Sequence, residues 1–236
     1  CHLSANHVVK IFGEDCRLAY QGYFASAGGV VELARKEREE FLRKSDVFDE
    51  VFSQSGLPSG ICEMMAWSFH VFQGSTWLLR HPDGRVFFVN TDSSRGCFST
   101  LDLEYYLAVF YAMFWPQCLS DLLAIWAQAY RLEHPGSADK ASGVPSVMPR
   151  ALGKGFDLDG PTSGVDAMPV EVNSDYILMH YLLYAFTGDI ACFKRYRKVC
   201  QELADAVMAA DRNKDGLPDS GSHNILGELI GWLRDC

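Results

Sequence analysis

A chain of 236 residues with 21 Lys+Arg against 30 Asp+Glu has a formal net charge of −9, which argues against the basic face of a nucleic-acid binder and against a polybasic membrane anchor. Apolar residues make up 48% and aromatics 13%, enough for a packed core and too many for a disordered chain. No apolar run reaches the roughly 18 residues of a membrane span; the longest candidate, 101–129, is broken by Asp102, Glu104, Pro116 and Asp121.

In chain order, 8–12 reads as a strand, and 30–52 as a helix. The helix has a solvated charge run, Arg35-Lys36-Glu37-Arg38-Glu39-Glu40, and an apolar stripe from Phe41, Phe48, Val51 and Phe52. Gly56-Leu57-Pro58-Ser59-Gly60 breaks it, and 61–72 is a second, strongly apolar helix. The period then drops to two: Trp77-Leu78-Leu79 and Val86-Phe87-Phe88-Val89 flank His81-Pro82-Asp83-Gly84, a hairpin signal over 76–90. A loop over 92–99 leads into a helix over 102–114, and Pro116 opens another that runs to about Glu133. The stretch 136–162, with five glycines and three prolines, reads as a long loop. Helices over 171–186 and 190–210 follow, joined at Thr187-Gly188-Asp189; then come a loop over 211–222 and a last helix over 225–233. Repeated helix–turn–helix units with long loops between them describe a mostly α chain built as a toroid or bundle of helical hairpins. The start at Cys1 and the end at Cys236, next to an apolar stretch, lead us to expect a piece of a longer protein.

Eight cysteines (1, 16, 62, 97, 118, 192, 200, 236) form no CxxC pair and no close cluster with histidine. This spacing does not suit a zinc site, and mostly reduced, structural thiols are expected.

Three constellations can carry chemistry. In the first, Asp92, Asp102 and Glu104 stand on the loop and first turn entering one helix. They read either as a pocket-floor set or as acidic first-turn residues behind a Ser99 or Thr100 cap. The second is Met168-Pro169-Val170-Glu171-Val172-Asn173-Ser174-Asp175-Tyr176. Here Glu171, Asn173 and Asp175 suit a polyhydroxylated ligand, although Ser174 or Asp175 could simply cap. In the third, Asp211, Asn213 and Asp215 with Gly216 occupy positions 1, 3, 5 and 6 of an EF-hand-like loop. Ser222 at position 12 and Pro218 reject a full EF-hand. What remains is a weaker structural calcium site or a turn closed by its own Asp and Asn side chains. His70, His134 and His180 read first as core residues, as do Tyr105, Tyr106, Phe110, Tyr111, Phe114 and Trp115 at helical spacing. GxGxxG, phosphate-loop and GxSxG motifs do not occur in the sequence.

Taken in order, these stretches resemble the catalytic region of six-hairpin (α/α)6 glycosidases. Ser99-Thr100-Leu101-Asp102-Leu103-Glu104-Tyr105-Tyr106 and Phe114-Trp115-Pro116 are similar to the nucleophile-side segment of glycoside hydrolase families 116 and 52. Phe69-His70 and Ser75-Thr76-Trp77-Leu78-Leu79 look most like family 52 xylosidases. Met168-Pro169-Val170-Glu171, Thr187-Gly188-Asp189 and Asp215-Gly216-Leu217-Pro218 match later points of the clan, so the likeness covers about 60–222.

The resemblance implies part of an (α/α)6 toroid with a short β-hairpin near 76–90. Residues 1–55 would be an N-terminal linker or the end of a preceding β-domain, and 56–236 a partial catalytic domain. It also implies a retaining glycosidase acting on a β-glucoside or β-xyloside, whose two carboxyl groups lie about 5–5.5 Å apart. Asp92 falls best where the nucleophile is expected, with Thr91 there in an ungapped alignment. Asp102 and Glu104 order the pocket and, with Glu171, Asp175 and His70, contact the sugar. The general acid is expected from sequence beyond this chain, and relatives carry a His-Asp-x-Gly motif where this chain has Arg150-Ala151-Leu152-Gly153. The partner is a carbohydrate substrate. No cofactor is required beyond a possible structural calcium at Asp211, Asn213 and Asp215. The alternatives are a catalytically inactive carbohydrate-binding relative and a glutaminase-like amidohydrolase on the same fold, to which Met168-Pro169-Val170-Glu171 is also similar.

Overall fold

The computed structural model describes residues 8–11, 14–92, 97–132, 148–149, 151–154, 157–158 and 168–219. The chain is mostly helical with a small sheet. Strands β1 (Val8–Ile11) and β2 (Glu14–Leu18) pair antiparallel and lead through a 3₁₀ turn, Ala19–Gly22, into helices α1 (Ala27–Lys36) and α2 (Arg38–Ser53). The expected helix over 30–52 is thus two helices, divided at Glu37, whose backbone (φ −107°, ψ 19°) leaves the helical basin. Helix α3 (Ser59–Ser75) starts just past the glycine–proline break.

The hairpin forms as read, from β3 (Thr76–Arg80) and β4 (Val86–Asp92), in register Thr76↔Asn90 to Arg80↔Val86. Its turn closes through His81 N–H to Arg85 O at 2.9 Å. The loop expected over 92–99 is shorter than read, because Cys97–Thr100 is a strand, β5, paired with β4 through Thr91↔Phe98 and Asp92↔Cys97. Two short strands also stand inside the expected long loop, β6 (Ala151–Lys154) and β7 (Asp157–Leu158). They add to β5, and a parallel pairing of β7 with β1 (Lys10↔Asp157, Ile11↔Leu158) closes the sheet into a ring. At four and two residues, Ala151–Lys154 and Asp157–Leu158 are too short to carry an alternation of their own, and only their neighbours make them strands.

Helices α4 (Leu101–Phe114), α5 (Pro116–Leu132), α6 (Pro169–Thr187) and α7 (Ala191–Ala210) hold the main core. Each buries a stripe at three- and four-residue spacing: Leu101, Glu104, Ala108 and Tyr111 on α4; Val172, Tyr176, Met179 and Leu183 on α6; Val199, Leu203, Ala206 and Ala210 on α7. Sequential helices pack as hairpins, α4 also packs on α6, and α5 touches α7. In contrast, α1, α2 and α3 have no buried residue. The aromatic series on α4 divides: Tyr111 is buried, while Tyr106 is 76% exposed and Phe114 and Trp115 are exposed too, which corrects the core reading for these three. Trp115 nevertheless stacks on Phe72 of α3 at 6.2 Å.

Cys16 and Cys200, both buried, and Cys62, Cys118 and Cys192, half-buried, are free thiols; the Cys97 side chain lies outside the described residues. Burial pushes the Cys200 thiol up to about 12. No helix among the described residues is long and apolar enough to cross a membrane. The helix expected over 225–233, together with Cys1, Cys236, His134 and Arg150, lies outside the described residues.

Candidate functional site

Both constellations at helix starts end up at one end of the helical core. Asp102 stands in the first turn of α4 and Glu171 in the first turn of α6, with Asp175 one turn further along. The three carboxylates are close enough to feel one another: Asp175 is only 7% exposed, and its carboxyl is pushed up to about 7 by burial first, then by Glu171 and Asp102. Asp175 therefore ionises near neutrality, and in its protonated form it can donate as well as accept a hydrogen bond.

The capping alternative holds for α4 in position only, with Asp102 and Glu104 in the first turn behind Thr100, and fails for Ser174 and Asp175 on α6. Thr100 is the N-cap of α4, yet its side chain makes no capping hydrogen bond, and its buried hydroxyl has no partner among the described residues. Ser174 Oγ donates back to Val170 O at 2.7 Å instead of capping, and Asp175 lies beyond the first turn of α6. The N-cap of α6 is Met168, with Pro169 at the first helical position. Two of the three non-glycine residues with positive φ among those described stand beside these helix starts, Ser99 at 43° and Met168 at 45°. Left-handed backbone at such residues costs on the order of 1–3 kcal/mol and gathers at sites where geometry is functional.

Glu104 faces inward. It is fully buried and receives Asn90 Nδ2 at 3.3 and 3.2 Å and the Tyr111 hydroxyl at 3.1 Å. Asn90 Nδ2 also reaches the Tyr111 oxygen at 2.6 Å, Thr76 Oγ1 donates to Asn90 Oδ1 at 2.8 Å, and Asn90 N–H donates to Ser99 Oγ at 3.1 Å. Burial raises the Glu104 carboxyl above its ordinary value, opposed by hydrogen bonds from Ser99, Asn90 and Tyr111. Burial, and then the Glu104 charge, pushes the Tyr111 phenol far above its ordinary range. Of the two roles expected for Glu104, burial corrects direct sugar contact and leaves the ordering of the pocket. The sequence reading missed Asn90 and Ser99 as network members; the seven-residue spacing of Glu104 and Tyr111 on α4 was the available signal.

The backbone of Asp92 is the last residue of β4, opposite Cys97. At about 3.3 Å per residue this is roughly 10 Å back along β5 from Thr100, where α4 starts. The Asp92 side chain lies outside the described residues. Asn173 is buried and accepts Met148 N–H at 2.8 Å, so it anchors chain. His70 is exposed on α3, edge-on to Trp67 at 6.1 Å; this corrects the core reading, and none of its described contacts reaches the three carboxylates. His180 is core, as read, and only 2% exposed.

In the 211–219 loop the acidic side chains hold backbone. Asp211 accepts Asp215 N–H at 3.2 Å and Gly216 N–H at 2.9 Å, Asn213 Oδ1 accepts Asp215 N–H at 2.9 Å, and Asp215 accepts Leu217 N–H at 2.8 Å. Asp219 takes the N–H groups of Arg212 and Asn213 at 2.7 and 3.0 Å. This is the geometry of the turn alternative. Among the described residues no group of three or more His, Cys, Asp or Glu side chains is placed to hold a metal.

The model of glycosyl hydrolase family 52 matches residues 7–146. The match covers more than half of the chain, taking in β1–β5 and α1–α5 and, with them, Asn90, Asp92, Asp102 and Glu104. Glu171 and Asp175 lie beyond it. No curated protein matches the chain.

Proposed function

The chain belongs to glycosyl hydrolase family 52, and from that premise we propose that it is a retaining glycosidase domain acting on a β-xyloside or β-glucoside. The observation that carries the proposal is the gathering of Asp102, Glu171 and Asp175 at adjoining helix starts, with Asp175 holding its proton to about pH 7. A carboxylate and a carboxylic acid side by side offer both an acceptor and a donor to vicinal sugar hydroxyls. In this reading Asp92 is the nucleophile, Asp102, Glu171 and Asp175 bind the sugar, and the general acid comes from sequence outside this chain. The alternating contacts of α4 with α6 and α5 with α7 support an arc of an (α/α)6 toroid over 56–236, preceded by a linker or domain end over 1–55. We keep a structural calcium at Asp211, Asn213 and Asp215 as a secondary proposal. Nucleic acid and membrane are not expected partners, given the net charge of −9.

An aryl glycoside with a strongly acidic phenol tests the nucleophile without the general acid, because its leaving group departs unprotonated. With 2,4-dinitrophenyl β-xyloside, the Asp92 carboxylate attacks the anomeric carbon, the bond to the phenolic oxygen breaks, and dinitrophenolate leaves. The expected result is a pentosyl adduct on the peptide containing Asp92, detected by mass spectrometry and absent from a folded Asp92→Asn variant. Labelling that persists in Asp92→Asn removes Asp92 from the role.

A second reading is a catalytically inactive carbohydrate-binding relative, favoured by the Thr91-Asp92 ambiguity where the nucleophile is expected and by Arg150-Ala151 in place of the His-Asp pair. Binding of xylose or glucose by calorimetry, with no adduct from 2,4-dinitrophenyl β-xyloside or from the corresponding aryl β-glucoside, would select it. Ammonia release from glutamine would instead select the amidohydrolase alternative.

A further inference from the structure

We infer that Glu104 is a positioning residue, a clamp that holds the facing ends of β4 and β5 and so sets where Asp92 stands relative to the start of α4. The inference rests on the reading of Asp92 as the nucleophile and assigns the residues that would place it.

A fully buried carboxyl is a costly choice where a hydrophobic residue would pack, so its hydrogen bonds indicate what it is for. They converge on two stems. Asn90 is the residue before Thr91 and Asp92 on β4, and its amide reaches both Glu104 oxygens. Ser99 follows Cys97 and Phe98 on β5, bonds Glu104, and accepts the Asn90 N–H at 3.1 Å. One carboxyl on α4 therefore grips both strands at the point where Thr91↔Phe98 and Asp92↔Cys97 pair. Thr76 Oγ1 on β3 donates to the Asn90 side-chain oxygen Oδ1 at 2.8 Å, and Tyr111, two turns along α4, fixes the Glu104 rotamer. The left-handed Ser99, at φ 43°, is the conformation such a grip is needed to hold.

The test compares wild type, Glu104→Gln, and a polarity swap, Asn90→Asp with Glu104→Gln, which places the acceptor on β4 and the amide donor on α4. Two quantities are read: amide hydrogen exchange, and the rate and half-saturating concentration of labelling by 2,4-dinitrophenyl β-xyloside. Glu104→Gln is expected to speed exchange about tenfold at Thr91, Asp92, Cys97 and Phe98, the loss of one charge-assisted hydrogen bond, while exchange over α7 stays unchanged. Labelling should slow by a similar factor at an unchanged half-saturating concentration, and the swap should restore both. Tyr111→Phe removes one donor and no charge; it should give a smaller effect at the same amides if Glu104→Gln fails to fold.

Exchange that is unchanged at those four amides, or that rises equally throughout the chain, overturns the clamp and leaves Glu104 a core group. So does exchange that loosens locally while labelling keeps its rate, or a swap that restores neither. Local loosening and rescue by the swap in a protein that labels with neither aryl glycoside even as wild type would instead sink the glycosidase reading and leave the clamp standing.

Discussion

Asp175 and His180 sit on one helix and titrate in opposite senses, because burial penalises whichever form is charged. Asp175 ionises near its ordinary 3.8 in the unfolded chain and near 7 in the fold. Between about pH 4 and 7 the fold thus holds a proton that the unfolded chain has released, and stability falls as pH rises through that window. Asp175→Asn, a neutral isostere, should raise the thermal midpoint at pH 8 by a few degrees and leave it unchanged at pH 4; an equal shift at both would remove Asp175 as the cause. His180 lies against Tyr176, Phe193 and Tyr196, and neither ring nitrogen has a hydrogen-bond partner among the described residues. Burial holds it down to about 4 from an ordinary 6.5. Its protonation in the unfolded chain therefore costs stability as pH falls from about 6.5 to 4. His180→Leu should flatten that acid limb in calorimetric scans and, by removing two unpaired buried polar atoms, add about 1 kcal/mol at pH 7. A variant that loses stability at every pH would show the ring to be packing that cannot be replaced.

At the scale of the element, two glycines behave oppositely although a methyl group would meet nothing within 4 Å at either. Gly188 ends α6 in the left-handed conformation, φ 71°, and its N–H bonds Tyr184 O at 2.7 Å. Gly188→Ala should cost about 1 kcal/mol in urea unfolding. Gly74 lies within the last turn of α3 with no positive φ, and Gly74→Ala should be neutral or stabilising by up to about 1 kcal/mol. The stop of α6 was read from Thr187-Gly188-Asp189, whereas its start was read at 171 and stands at Pro169, a residue suited to the first helical position. What could not be read was that the polar residues at its start make no cap, since Ser174 can bond back to Val170 as readily as forward.

Across the molecule, burial is divided between the two halves of the helical set. The residues of α1–α3 are exposed or half-buried, while α4–α7 supply most of the fully buried side chains. Local opening follows buried contact. Amides over 27–75 should therefore exchange well before those of 101–132 and 169–210, and uniform protection along the chain would contradict this division. The aromatic bridge from Phe72 to Phe88, Phe110, Tyr111 and Trp115 is where the two parts are tied, so Phe72→Ala should extend fast exchange into β4.

Composition and periodicity determined the mostly helical class, the 76–90 hairpin and the bounds of α4–α7 to within about two residues, because these are set by local spacing of apolar side chains and by Pro and Gly. The ordered run of short motifs was enough to suggest the glycosidase clan. Tertiary structure alone decided that the sheet joins seven strands among the described residues, because β6 and β7 have no strand pattern apart from the neighbours that pair with them. It alone turned Glu104 inward, since Asn90 and Ser99 reach it through a strand pairing rather than along a helix. It also raised the Asp175 carboxyl to about 7, because a pKa is set by burial and by the nearness of Glu171 and of Asp102, 73 residues away in sequence, and not by residue type alone.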